Sequence, residues 1–339
     1  MPLENILSIQ GFLTQVQVSV GIFAVIGALS VSRFLLSLGF TLAQAYILPG
    51  ISLTRFGAGQ GGWAVITGCT DGIGKEFALQ LADANLNVLL VARNKEKLDD
   101  VASAIKERTK NTVETKTVVI DYSSATKRDF ERLAQETSEL DISILINNVG
   151  VSHDIPTPFA EESVERHRSI VDVNIHVCVC VCVCVLPGMI ARNSGLIINV
   201  GSATGLVPTP YLSTYSASKA FVNTWSQALG AELSGTGIIV QSLTTFFVAS
   251  KMSKIRKSSF LVPYPDTYVR SVLGKIGLSG GSMTPYTSSP YPSHALANWV
   301  VETIPTHRTA LKINLDMHKD IRRRALRKLE RQAAASKKE

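Results

Sequence analysis

The chain has 339 residues, 45% of them hydrophobic and 18% charged, with a mean hydropathy of +0.19. That is long enough for one large α/β domain with appendages and too apolar for a chain living wholly in water, so a membrane segment is expected. The formal net charge is +7, but residues 319–339 alone hold nine Lys or Arg against three acidic residues, +6 of the total. The nearly neutral body excludes a nucleic-acid surface spread over the domain; the tail reads as a solvated helix or a contact for anionic lipid.

From Val16 to Ser32 no charge occurs, Arg33 interrupts, and a second apolar stretch runs from Phe34 to Leu48 before Pro49-Gly50. One span of about 20 residues fits a bilayer core, so 16–32 is expected to cross and 34–48 to lie as an interfacial helix or a further crossing. A cleavable signal would start with basic residues, whereas only Glu4 is charged before Arg33. Arg33 and Arg55 follow the span and none precedes it, which places the body in the cytoplasm by the positive-inside rule. Residues 1–56 are therefore read as an anchor, and Gly57–Gly62 as a short linker.

Strand and helix patterns then alternate. Strands are expected at Trp63–Thr67, Asn87–Ala92, Thr115–Ile120, Ile142–Ile146, Gly195–Val200 and Ile238–Leu243, with helices at Gly74–Ala84, Glu96–Lys110 and Lys127–Glu139. Short continuous apolar strands separated by helices imply a doubly wound parallel sheet. After the first strand comes Thr67-Gly68-Cys69-Thr70-Asp71-Gly72-Ile73-Gly74, a tight turn that opens a helix. Glycines let a pyrophosphate approach the backbone, and the helix N-terminus offers N–H groups to it. At the end of the second strand Arg93 stands where an acidic residue would bind the ribose 2′-hydroxyl of NAD. An arginine there suits a 2′-phosphate, so NADPH is the expected cofactor.

Four of the five cysteines, Cys178, Cys180, Cys182 and Cys184, alternate with valine over Val177–Val185. The alternation has the period of a strand. The place between the fourth and fifth strands demands a helix, and a helix is predicted by tertiary override. With Cys69, all five are read as reduced thiols: no Cys-x-x-Cys or Cys/His spacing suggests a metal, and i, i+2 neighbours make poor disulfides.

Tyr215 and Lys219 lie four apart and share one helix face, and Ser202 follows the fifth strand. Reducing a ketone takes a hydride at carbon and a proton at oxygen. Free tyrosine has a pKa of about 10; a lysine ammonium beside it favours the phenolate, Ser202 can hydrogen-bond the carbonyl oxygen, and Asn174 can hold a water linking Lys219 to solvent. Beyond the catalytic segment, the chain from Val269 to Pro292 is rich in Gly, Ser, Pro and Tyr, then apolar from Ala295 to Ile304, which marks 269–318 as a cap over the substrate or a membrane-associated segment ahead of the basic tail at 319–339.

With Thr67–Gly74, Asn147-Asn148-Val149-Gly150, Asn174, Ser202 and Tyr215–Lys219 in this order, the chain resembles the short-chain dehydrogenase/reductase family over about Trp63 to Val248. The resemblance implies a Rossmann-like fold behind an N-terminal transmembrane helix, a catalytic domain over 57–268, and NADPH held by Gly68, Asp71, Gly72, Ile73, Gly74, Arg93, Asp121, Asn148, Tyr215, Lys219, Val248 and Ser250. Asp121 would meet the adenine, and Val248 and Ser250 the nicotinamide end. Within the family, the membrane segment, Trp63–Gly68, Leu186-Pro187-Gly188-Met189, Thr245-Phe246-Phe247-Val248 and Met252–Arg256 are similar to a fungal subgroup that reduces very-long-chain 3-oxoacyl-CoA in microsomal fatty-acid elongation. This implies an endoplasmic-reticulum membrane location and work alongside an elongase, a 3-hydroxyacyl-CoA dehydratase and an enoyl-CoA reductase. Basic residues in Lys251–Lys257 would meet the CoA phosphates. A steroid or retinoid carbonyl reductase and a non-catalytic NADPH-binding scaffold stay open as alternatives. Of the two lysines a dilysine retrieval signal needs, Ser336-Lys337-Lys338-Glu339 places one.

Overall fold

The computed structural model describes residues 3–304 and 306–336; Lys337 and Lys338, compared above with a dilysine signal, lie outside the described residues. Seven parallel strands form one sheet in the order β3-β2-β1-β4-β5-β6-β7. They are β1 (Trp63–Thr67), β2 (Asn87–Ala92), β3 (Thr115–Val119), β4 (Ile142–Asn147), β5 (Gly195–Val200), β6 (Ile238–Leu243) and β7 (Thr287–Ser288). The first six stand where the sequence pattern puts them. β7, two residues long, has no pattern of its own; it adds to β6 through Ser242↔Thr287 and Leu243↔Ser288. Every residue of β1 and β4 is buried, because helices cover both faces of the sheet.

On one face lie α2 (Gly72–Asp83), α3 (Lys95–Thr109) and α8 (Pro265–Leu273). Phe77, Leu81, Leu98, Ile105 and Tyr268 are fully buried there against β1, β2 and β4. Each such side chain contributes roughly 1.5–3 kcal/mol of burial. The other face carries α4 (Lys127–Ser138), α6 (Val177–Arg192) and α7 (Ser213–Glu232). α5 (Val164–Val171) runs into α6 through one π turn, Asp172–His176. The Val/Cys run is helical. Val177, Val181 and Val185 recur every fourth residue and all face the core, as do Cys178 and Cys182, while Val183 points outward. A period-2 sequence also satisfies i, i+4, so the sheet face selects the helix by giving that stripe a place to bury.

At the N-terminus one uninterrupted helix, α1 (Leu3–Tyr46), occupies the place of the two expected segments. Arg33 does not break it, since arginine is a good helix former. The helix divides by environment instead. Its side chains are exposed from Thr14 to Leu36, whereas Thr41, Gln44 and Ala45 are buried against the body. The exposed part, 23 residues, is about 34 Å long, close to a bilayer core. The docked part sits on α9 (Pro292–Thr303): Trp299 Nε1 donates to Ser37 Oγ at 2.9 Å and its ring lies 4.9 Å from Phe34. Gln44 Oε1 accepts from Gly280 N at 2.8 Å and from Ser279 Oγ at 3.1 Å. The glycine stretch 57–62 is an ordered turn beneath the sheet rather than a free linker: Gly57 has φ +81°, and Gly62 leaves only 2.6 Å to Ser143 Oγ for a Cβ. Last comes α10 (His307–Ser336), which runs through the expected boundary at 318/319 as a single helix.

Candidate active site

The strand order reverses between β1 and β4, and the turns leaving those strands meet there, as ligand sites of open α/β sheets do. Gly68, at φ +65°, turns the chain into α2 and donates its N–H to Val91 O at 2.8 Å. Asn148, just past β4, clamps the turn: its Nδ2 donates to Thr67 O and Gly68 O, both at 3.0 Å, and its N–H to Thr67 Oγ1 at 3.0 Å. Gly74 packs so tightly on Asn148 Nδ2 and Gly68 O that no side chain fits. Asp71 caps α2, accepting from Gly72 N at 2.8 Å, and pairs with Lys251 Nζ at 2.5 Å. Its carboxyl is lowered: burial raises it, but the hydrogen bond from Lys251, that from Gly72 and the nearby lysine charges together win.

Ser202 follows β5 and opens a short 3-10 turn (Ala203–Gly205). Its Oγ accepts from Thr204 N at 3.2 Å and from Thr204 Oγ1 at 2.9 Å. With both acceptor positions taken, the Ser202 hydroxyl proton is directed outward. One turn along α7, Lys219 Nζ donates to Val200 O at 2.8 Å and stands 5.8 Å from the centre of the Tyr215 ring. Ser216 pins the intervening loop, donating to Thr204 O at 2.6 Å and accepting from Thr209 N at 3.1 Å. Burial lowers the Lys219 ammonium to about 8, opposed by a small effect of Cys178. Burial also raises Tyr215, against a lowering hydrogen bond from Ser202. The sequence predicts that the lysine pulls the phenol down; burial instead is the largest influence on Tyr215, and the lowering contribution comes from Ser202.

Asn174 sits in the π turn below Lys219. Its Oδ1 accepts from Val151 N at 2.8 Å, and its Nδ2 donates to Val151 O at 3.0 Å and to Ser218 Oγ at 2.9 Å. The side chain is thus chiefly a brace, with one lone pair of Oδ1 left for a water. Asn147, Asn174, Cys178 and Lys219 line a cavity of about 10 Å³, the size of one water. Burial pushes the Cys69 and Cys178 thiols up to about 12, so they stay protonated.

A single cleft of about 1710 Å³ joins Gly68, Asp71, Gly72, Ile73, Asn148, Ser202, Tyr215, Lys219, Val248 and Ser250. Three expected cofactor residues do not line it. Gly74 lies behind the turn. Arg93 and Asp121 stand on the exposed ends of β2 and β3 to one side, where the Asp121 carboxyl is lowered first by hydrogen bonding from Ser123 and last by the Arg93 charge. Those positions fit an adenosine laid across the strand ends, beyond the enclosed part of the cleft. Two basic residues expected at CoA are engaged otherwise, Lys251 with Asp71 and Lys254 Nζ with Asp154 O at 2.5 Å.

Sequence reasoning missed three parts of the site. Thr204 orients Ser202. His153, buried on the cleft wall, holds Glu162 at 2.8 Å. Most of all, α10 closes the cleft, with Ile313, Asn314, Met317, Ile321, Arg324 and Lys328 facing in. Their recurrence every three or four residues was the available signal, masked by a tail that looked simply basic. Among the described residues, no group of three His, Cys, Asp or Glu is placed to hold a metal ion.

Residues 62–259 match the short chain dehydrogenase family. The chain belongs to it. Similarity extends well past the matched region. A very-long-chain 3-oxoacyl-CoA reductase of Coprinopsis cinerea is 46% identical over 313 residues, covering 91% of this chain and 92% of that protein. The protein of the same name from Laccaria bicolor is 47% identical, with coverage of 91% and 92%. Among solved structures, a short-chain dehydrogenase from Sphingobium yanoikuyae in complex with NADPH is 27% identical with a TM-score of 0.60, over 71% of this chain and 92% of that one. A 7beta-hydroxysteroid dehydrogenase shares the fold at TM-score 0.66 and 24% identity, over 75% and 96%. As a short-chain dehydrogenase, the protein is an oxidoreductase, and Ser202, Tyr215 and Lys219 lie where the two halves of its sheet present a ligand.

Proposed function

We propose that the protein reduces very-long-chain 3-oxoacyl-CoA to 3-hydroxyacyl-CoA with NADPH, the ketone-reducing step of fatty-acid elongation. The observation that carries this is the junction in one cleft of the glycine turn with Ser202, Tyr215 and Lys219; the substrate class comes from the fungal relatives. NADPH fits the residues present: Gly68 and Gly72, both at positive φ, bring bare backbone to the cleft, no acidic residue ends β2, and Arg93 offers a guanidinium to a 2′-phosphate. When bound, the nicotinamide supplies the hydride.

The chain's own residues handle the oxygen. A ketone entering the cleft takes the outward proton of Ser202 as a hydrogen bond. The Tyr215 hydroxyl gives its proton to the oxygen as charge develops there. The Lys219 ammonium, one helical turn away, favours the phenolate left behind. The one-water cavity under Lys219 supports a route by which protons return. The test is NADPH oxidation by protein reconstituted in vesicles with 3-oxohexadecanoyl-CoA. Turnover that Tyr215→Phe abolishes supports the reading; a folded, NADPH-binding protein that leaves this substrate untouched overturns it.

The exposed apolar stretch of α1 supports a membrane-anchored enzyme, and Arg33 and Arg55, which follow its uncharged residues 16–32, support a catalytic body in the cytosol; the proposed place is the endoplasmic reticulum, beside the elongase, dehydratase and enoyl-CoA reductase that supply and consume its substrate and product. Protection of the body from protease in sealed microsomes would contradict that orientation.

A further inference from the structure

Nothing in the catalytic set explains α10. It is clamped over both loops that border the site. Asn314 Nδ2 donates to Pro208 O and Thr209 Oγ1, each at 3.4 Å, on the segment between Ser202 and Tyr215. Arg322 Nη1 donates to Pro156 O at 2.8 Å and its Nη2 pairs with Glu161 at 2.5 Å, on the segment after Asn148. His318 is buried between these anchors. A helix held this way is a roof, and the cleft under it runs unbroken to Tyr215.

The cationic side chains that line the roof are confined to one end of it. At its near end, Ile304 just past α9, Ala310, Ile313 and Met317 face the cleft; at its far end, Arg324 and Lys328 do, Arg324 also pairing through Nε with Asp320 Oδ2 at 2.9 Å. From Ala310 to Lys328 the helix runs about 27 Å. Ile313 is 60% exposed, an isoleucine turned to an open groove instead of a packed core. The apolar end also leads to the anchor, because α9 carries both the groove residues Val300 and Val301 and the Trp299 that rests on Phe34 of α1. An acyl-CoA has the matching pattern: an apolar chain, a reacting carbonyl, then several phosphates.

We infer that α10 roofs the acyl-CoA site, with the acyl chain under Ile313 and Met317 pointing toward the membrane anchor and the CoA phosphates at Arg324 and Lys328. This rests on the proposed substrate class and adds to it a place and a direction. The basic C-terminal helix is then a substrate-binding element. Its lining residues confer selectivity, and charge-assisted contacts to phosphate at two cationic side chains make the CoA moiety count toward affinity.

The test compares two substrates that share the reacting ketone, 3-oxohexadecanoyl-CoA and its N-acetylcysteamine thioester, which carries no phosphate. In the double variant Arg324→Gln, Lys328→Gln, KM for the CoA ester rises about tenfold or more, while KM for the thioester moves less than about twofold. The matched double variant Arg327→Gln, Arg331→Gln, which removes the same charge from residues outside the cleft, changes neither. Separately, Ile313→Asp reduces the kcat/KM advantage of 3-oxohexadecanoyl-CoA over acetoacetyl-CoA by about tenfold, with acetoacetyl-CoA itself little changed. NADPH binding, followed by fluorescence, reports that each variant is folded. Equal effects on the ester and the thioester, equal effects of the two double variants, or equal losses on long and short chains overturn the inference while leaving the proposed reaction standing. Wild-type protein inert toward every 3-oxoacyl-CoA overturns both.

Discussion

Burial sets the working range of the proposed catalytic pair, Tyr215 and Lys219. Removal from water lowers Lys219 to about 8 and raises Tyr215. A proton on each is what reduction needs. As pH rises past about 8 the Lys219 ammonium is lost first, and with it the stabilisation of the phenolate. Reduction is therefore expected to decline above pH 8 with a single ionisation; a kcat flat to pH 10 contradicts this. The same shift acts on stability. Lys219 ionises near 10.5 when unfolded and near 8 when folded. Between those values the unfolded chain binds more protons, so stability rises with pH; below 8 the full cost of the buried charge is present, about 3 kcal/mol. Lys219→Met should abolish activity, flatten this rise and leave the protein no less stable at pH 7, as thermal melts at pH 7, 8.5 and 10 would show. A rise that persists in the variant assigns it to another group. Thr204 acts through Ser202, by filling its acceptor positions so that the serine proton points to the substrate. Thr204→Val removes the 2.9 Å bond and keeps the shape. It is expected to lower kcat severalfold with NADPH affinity unchanged, and Thr204→Ser to restore it; an unaltered kcat in the valine variant denies Thr204 this role.

At the scale of elements, the Val/Cys run shows how far sequence pattern reaches. Six strands and the helices between them were legible because each is a continuous apolar run or a 3.6-residue stripe bounded by turn residues. The catalytic motif and the glycine turn were legible for a different reason: their chemistry fixes spacing, four residues on a helix or a turn between a strand and a helix. The two-residue β7 was not legible, since pairing with β6 makes it a strand and no local periodicity does. The role of α10 was equally hidden, because facing a cleft rather than a core leaves its stripe half polar. α6 lies between these cases, with a strand period in a helix position. Helix and strand differ in a way that can be measured. In a strand Val181 and Val183 would share a face; in the helix Val181 is fully buried and Val183 is 68% exposed. Val181→Ala is expected to cost about 2 kcal/mol through lost burial and the void left. Val183→Ala is expected to stabilise by about 0.5 kcal/mol, because alanine replaces a β-branched residue on an exposed helix face. Opposite signs in the two melts are the signature of the helix, and equal destabilisation would reject it.

Across the whole molecule, α1 is mechanically continuous with the site. Its last turns are held by Gln44, whose Oε1 accepts from Gly280 N and Ser279 Oγ. Ser289 N donates to Ser279 O at 3.0 Å, and the segment continues into β7, which pairs with β6. β6 leads directly to Thr245–Ser250 on the cleft wall. From the other side, Ser37 and Phe34 hold α9, whose Val300 and Val301 line the groove together with Ile304 just past its end. In the proposed membrane-anchored enzyme, α1 therefore sets the position of the apolar end of the cleft relative to the bilayer, beyond tethering the domain. Gln44→Ala tests this coupling. It leaves a buried N–H at Gly280 without its acceptor, a loss of about 1–3 kcal/mol confined to the junction. Amide exchange should accelerate across residues 279–289 while the central strands β1 and β4 keep their protection. Turnover of a vesicle-dissolved long 3-oxoacyl-CoA should fall, and that of water-soluble acetoacetyl-CoA should hold, since Ser202 stands just past β5 and Tyr215 and Lys219 on α7, away from the junction. Unchanged exchange would mean that Gln44 does not hold the junction. Equal loss on both substrates would mean that α1 supports the catalytic residues themselves and not the entry of the chain.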